Sequence, residues 1–204
     1  MKIWTLAPVA ALIATALTPS VAQAHFIWAT IENGQVRFAL LENPAEKPDA
    51  KFGMYVEGLK TSLALGSVTE GARFCALPTG KALAFADATV GVKNREGVEY
   101  LLLYHAKAAA SLEDAGKASD APAEALASRE GDELVVNVRQ GGWPVPETEV
   151  TLHVPGSEEQ KTATTDLKGE ARFAFPKPRK AGFVGLRAKI VEEQPGTAEG
   201  KKYA

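Results

Sequence analysis

The stretch HFIWATIENGQVRFALL, residues 25–41, reads as two strands joined by a tight turn. His25 to Ile31 reads as a strand, Asn33-Gly34 is a pair that tolerates positive φ, and Val36, Phe38 and Leu40 recur at period two on one face. A β-hairpin is predicted there, ended by Pro44 and Pro48. Short apolar runs follow at 52–56, 63–65, 74–77, 83–85 and 90–92, parted by Gly, Pro and charged residues, a spacing that belongs to a sandwich. Tyr100 to His105 is a longer run and reads as a central strand of this first module.

A second module begins near Asp132. Leu134, Val136 and Val138 alternate with polar residues, Gly141-Gly142-Trp143-Pro144 makes a turn, and Val150, Leu152 and Val154 share the next strand face. Asp166-Leu167-Lys168-Gly169 is a further turn, followed by Ala171, Phe173 and Phe175 at period two and by a strand over 183–191. Between the modules, the alanines of 106–129 lie among Asp, Glu, Lys and Ser with no large apolar stripe, so that segment reads as a linker. The expected fold class is all-β, two small Ig-like sandwich modules at 25–110 and 131–194, with a linker over 111–130 and a tail over 195–204.

Residues 1–24 read as a secretory leader. Lys2 gives a positive start, Ile3 to Leu17 is apolar, Pro19 breaks the run, and Ala22-Gln23-Ala24 is a small-x-small cleavage site. The apolar run falls short of the roughly 20 residues a spanning helix needs. Export to the periplasm or the exterior is expected, as a protein not integral to the membrane. Lys plus Arg number 23 against 25 Asp plus Glu, which gives no electrostatic footprint for nucleic acid. One cysteine, Cys75, excludes disulfide scaffolds and thiolate clusters.

Cleavage after Ala24 would make His25 the first residue, and a free amine with its own imidazole forms a chelate. With one more imidazole the set has three nitrogens, suited to Cu(II) or Ni(II). The amine has a reference pKa of about 7.7 to 8, so metal must displace a proton and binding weakens as pH falls. Against this, any residue can follow a leader, and an exposed terminal histidine need do nothing. His105, on a strand face with Leu101 and Leu103, is the candidate second ligand or else a histidine satisfied at a core edge. His153 is expected on a solvated face beside Glu149 and Thr151, and Asp49, Glu57 and Asp87 are carboxylates able to complete a site.

Catalytic motifs are missing from the sequence: it holds no Gly-x-Ser-x-Gly elbow, no His-Glu-x-x-His, no phosphate loop and no dinucleotide fingerprint. Cys75, between Phe74 and Ala76, reads as a buried inert thiol. Trp28 and Trp143 are candidates for a sugar platform or for core packing.

Five segments together carry a family resemblance: His25-Phe26-Ile27-Trp28, residues 104–107, Gly142 to Val150, Thr164 to Gly169, and Gly196 to Tyr203. In that order they resemble a secreted bacterial domain-of-unknown-function family linked with nickel and cobalt uptake. The turn and Thr-Thr-Asp stretch of the second module resembles transthyretin-like and carboxypeptidase-regulatory-like sandwiches. The resemblance implies a periplasmic metal-handling role, with His25 matching the family's N-terminal histidine. Phe26 departs from it, standing where an acidic residue is common. Family members also continue past the position of Ala204 through a strand bearing a histidine, so the resemblance implies either a truncated product or His105 as the replacement ligand.

The expected function is therefore non-enzymatic. The chain would bind Ni, Co or Cu through His25 and His105 and pass the metal to a membrane metal transporter. Two alternatives stand beside it: a metal-free Ig-like accessory protein that recruits a partner through strand edges, and a histidine-brace copper oxidase acting on polysaccharide.

Overall fold

A computed structural model describes residues 25–154, 160–175, 184–192 and 194–204. The leader reading over 1–24 lies outside them, as does the start of the strand expected at 183–191. Asn33 and Gly34 have φ of 51° and 75°. Those positive values suit the two-residue turn whose twist matches its flanking strands. Accordingly β1 (Phe26–Glu32) and β2 (Gln35–Leu41) pair from Glu32↔Gln35 through to Phe26↔Leu41.

A 3-10 turn (Ala50–Phe52) and a one-turn helix α1 (Met54–Glu57) lead to β3 (Lys60–Thr61), β4 (Leu65–Thr69) and β5 (Ala72–Ala76). A long hairpin of β6 (Leu83–Arg95) and β7 (Val98–Ala109) follows. The sheets run β1-β2-β5-β4 and β3-β6-β7. Val36, Phe38 and Leu40 from the first meet Ala84, Ala86, Ala88, Ala106 and Ala108 from the second, with Cys75 and Val56 between. Large residues on one sheet against alanines on the other fill the layer without clashes. Cys75 is fully buried, as its apolar neighbours led us to expect. The run 100–105 ends its sheet instead of occupying the middle: in hydrogen-bonded order β7 has β6 on one side only, and β1 packs against it.

The second module contains α2 (Leu112–Ala115), β8 (Ala123–Glu130), β9 (Glu133–Gln140), β10 (Trp143–Pro144), β11 (Glu149–His153), β12 (Lys161–Thr164), β13 (Glu170–Ala174) and β14 (Gly185–Ala188). β9 carries β8 along one edge and β13 with β10 along the other, while β11 lies between β12 and β14. Leu134, Val136 and Val138 meet Val150 and Leu152 in the core, with Ala171 and Phe173 of β13 beside them. The chain is all-β, built of antiparallel sandwich modules.

Two readings of the chain's organisation are corrected. The expected linker over 111–130 contains β8, which pairs with β9 over its whole length and buries Ala123, Leu126 and Ala127. Alanine at period two fills a narrow core layer as well as it fits a helix, so composition alone misled. The expected tail over 195–204 is a hairpin of β15 (Gly196–Ala198) and β16 (Lys201–Tyr203) lying on β6 and β7, where the Ala204 amide donates to the Glu99 carbonyl at 3.0 Å.

The modules also stack face to face. The outer face of β1, β2 and β5 carries Trp28, Ala39, Leu41 and Ala72, all buried, with Phe26 and Phe74 beside them. Against it lie β11 and β14: the His153 ring meets Trp28 edge-on at 5.0 Å, and the Arg187 guanidinium sits 4.2 Å from the Phe26 ring. A Cβ on Gly185 would fall 2.7 Å from Pro44 Cγ and 3.1 Å from Trp28 Cζ3, so the close approach requires glycine. Among the described residues, no helix is long and apolar enough to cross a membrane.

Candidate functional site

The hairpin register fixes what surrounds His25. One step beyond Phe26↔Leu41 sets His25 opposite Glu42, and His25 Nε2 lies 3.9 Å from Glu42 Oε1. The residue is also anchored through its backbone. Tyr104, on the inward face of β7, donates its hydroxyl to the His25 carbonyl at 2.7 Å. Burial raises the pKa of that phenol, so it stays a donor throughout the neutral range. The imidazole packs against Phe52 with ring centroids 4.4 Å apart, while about a third of its surface remains open to solvent.

His25 stands between two recesses. One, of about 190 Å³, is mainly apolar and lined by Phe52, Tyr55, Leu102 and Tyr104 among others. The other, of about 300 Å³, is polar and lined by Glu42, Glu46, Asp49, Lys47 and Lys51. Asp49 caps the 3-10 turn, accepting from the Lys51 amide at 3.0 Å and pairing with Lys51 Nζ at 2.8 Å. The hydrogen bond from Lys51 holds its carboxyl below the ordinary range, and the charge of a protonated His25 acts in the same direction.

His105 has a separate setting. It follows Tyr104 on β7, so the pleat turns it to the opposite face from the residue that holds His25. There it opposes Asp87 of β6 directly, with Nδ1 2.6 Å from Asp87 Oδ1. It lines neither recess beside His25. Of the three carboxylates singled out from the sequence, Asp49 borders the His25 recess and Asp87 pairs with His105. Glu57, at the end of α1, offers its backbone carbonyl to Arg73. Among the described residues, no three His, Cys, Asp or Glu side chains converge as a ready-made metal cage.

His153 corrects the expectation of a solvated face: it is 3% exposed. Thr151 and His153 do point away from their own core, as the alternation implied, but the stacked first module covers them. Of the two candidate platforms, Trp28 is buried, with Nε1 donating to the Leu41 carbonyl at 3.2 Å, whereas Trp143 is 78% exposed. Glu42, Phe52 and Tyr104 escaped the sequence reading of the site. The signal for Glu42 was present, since counting outward from the Asn33-Gly34 turn pairs it with His25; Phe52 and Tyr104 arrive from elements whose packing no local pattern specifies.

No protein family matches the sequence, and no curated protein does. Among solved structures, the D00-D0 domain of Intimin is similar over 80% of this chain and 88% of its own length, at 16% identity and a TM-score of 0.25.

Proposed function

We propose that the protein holds a divalent transition metal, nickel, cobalt or copper, at His25 and hands it to a membrane metal transporter after export to the periplasm. The chelate would be the amine and imidazole of His25 once the leader is removed. Glu42 is the third donor, in place of His105. The observation that carries this reading is the anchoring of His25. A residue after a leader ordinarily frays, yet this one is tied by its carbonyl to Tyr104, braced by Phe52 and set across from a carboxylate. Such a donor set mixes nitrogen and oxygen, which suits Cu(II) or Ni(II) in tetragonal geometry, and the affinity order favours copper.

The test is titration of Ni(II) and Cu(II) into mature protein beginning at His25, beside the same protein with one added N-terminal glycine and beside His25→Ala. Tight binding lost in both altered proteins supports the chelate. Equal binding by all three overturns it.

A metal-free accessory role has an observation of its own. Trp143 and Leu167 are 78% and 86% exposed on neighbouring turns of the second module, and a Cβ on Gly169, beside Leu167, would lie 3.0 Å from Pro144 Cβ. Large apolar side chains left exposed on turns of a sandwich are available to a protein partner. Failure of the metal titration would make this the leading reading.

A further inference from the structure

We infer that the stacking of the two modules is a protonation-sensitive lock, with His153 as the group that opens it. His153 is 3% exposed, and among the described residues neither ring nitrogen has a hydrogen-bond partner. A neutral imidazole tolerates that setting, with its edge on Trp28 and its Cβ close to Gly185. An imidazolium does not, because a buried cation without an acceptor is expensive.

Among the described residues, no acceptor reaches the ring. On the facing sheet Glu32 of β1 is paired with Arg37 of β2 at 3.3 Å, and that guanidinium also donates to the Pro44 carbonyl at 3.4 Å. From β14, Arg187 already brings a cation to the same layer, donating to Thr151 Oγ1 at 3.0 Å with its guanidinium over Phe26. Trp28, from β1, has its one donor engaged with the Leu41 carbonyl. The loop after β2 contributes Pro44, which approaches Gly185. Glu149, on the same strand as His153, acts on Arg187 rather than on the ring. Burial first, and then the Arg187 charge, set the pKa of His153 below its ordinary value.

The sign follows from linkage. The stacked state binds the proton more weakly than an opened state, in which the ring returns to about 6.5. Stacking is thus fully favoured above that value and is lost progressively as pH falls below it. The connection at the other side of the first module persists through this range. There Lys107 of β7 pairs with Glu124 of β8 at 2.8 Å, and hydrogen bonds hold that carboxyl below the usual range. Opening would therefore hinge at the β7–β8 connection and expose Phe26, Trp28 and Leu41. None of this depends on the metal reading of His25.

The experiment is a pH series from about 7.5 to about 5, spanning the ordinary histidine range, on metal-free mature protein. It is followed by small-angle scattering and by Trp28 emission in a Trp143→Phe background. Expected are a larger radius of gyration and a red-shifted, quencher-accessible Trp28, with midpoint below about 6.5 and an unchanged far-UV strand signal. His153→Phe should remain closed across the series. A wild-type protein that stays closed at the acid end overturns the lock, and so does an identical transition in His153→Phe. Should that variant fail to fold, proton NMR of the His153 ring in the wild type decides. Titration only in step with the scattering change supports the lock, and titration at the ordinary value in a closed molecule overturns it.

Discussion

The Tyr104 hydroxyl reaches the His25 carbonyl across 79 residues of sequence at 2.7 Å, and this bond holds the start of β1 against β7. Tyr104→Phe removes the donor and keeps the ring. A net loss of about 1 kcal/mol in unfolding free energy is expected, together with weaker Ni(II) binding by the mature protein as His25 gains freedom. Urea unfolding and metal titration check the two effects. Intact binding in Tyr104→Phe would show that the bond serves only the fold.

Lys107 and Glu124 form a nearly enclosed ion pair between β7 and β8. Lys107 Nζ also donates to the Lys117 carbonyl at 2.6 Å, and Glu124 accepts from the amide and hydroxyl of Ser119. Lys107→Met should destabilise by about 3 kcal/mol, because it leaves a buried carboxylate without its cation. Glu124→Gln in the same background should restore part of the loss.

Acid titration of the same pair has a definite sign. Burial pushes the Glu124 carboxyl up, but the hydrogen bonds from Lys107 and Ser119 outweigh it and leave the pKa below the ordinary value. Its contribution is present above the unfolded value of about 4.3 and disappears as pH falls through the lower native one. Urea midpoints measured from neutral to strongly acid pH should show this loss in the wild type and lack it in Glu124→Gln.

The hairpin at 25–41, the strand alternation of the second module and its turns were legible because each rests on a local signal: period two, or a residue pair suited to positive φ. The role of β8 was not. Ala125 and Ala127 reach the core only because β9 lies beside them, and nothing local distinguishes such alanines from those of a solvated connector. His153 was misplaced for a related reason. Alternation gives the face correctly, but whether that face meets water depends on a second module that the strand itself does not specify.

The strand character of 123–130 yields a direct contrast. Ala127 is 4% exposed and belongs to the second core, so Ala127→Asp would bury an unpaired charge and cost several kcal/mol, enough to unfold that module. A linker alanine would tolerate the change. Thermal melts monitored by circular dichroism distinguish these outcomes.

Gly185 tests the stacking without touching a titratable group. A side chain there meets Pro44 Cγ at 2.7 Å, a ring carbon that cannot swing aside as a long side chain would, and next meets Trp28 and His153. Gly185→Val should therefore part the modules at neutral pH, at a cost of about 1–3 kcal/mol for the overpacked contact. Each module should keep its fold, since Val150, Leu152, Val36 and Phe38 lie in cores away from this face. Scattering at neutral pH should give the larger radius expected for wild type only in acid, and acidification should then change little. A Gly185→Val protein that remains stacked would mean the modules can yield locally around Trp28, and that the packing of Gly185 against Pro44 does not govern their approach.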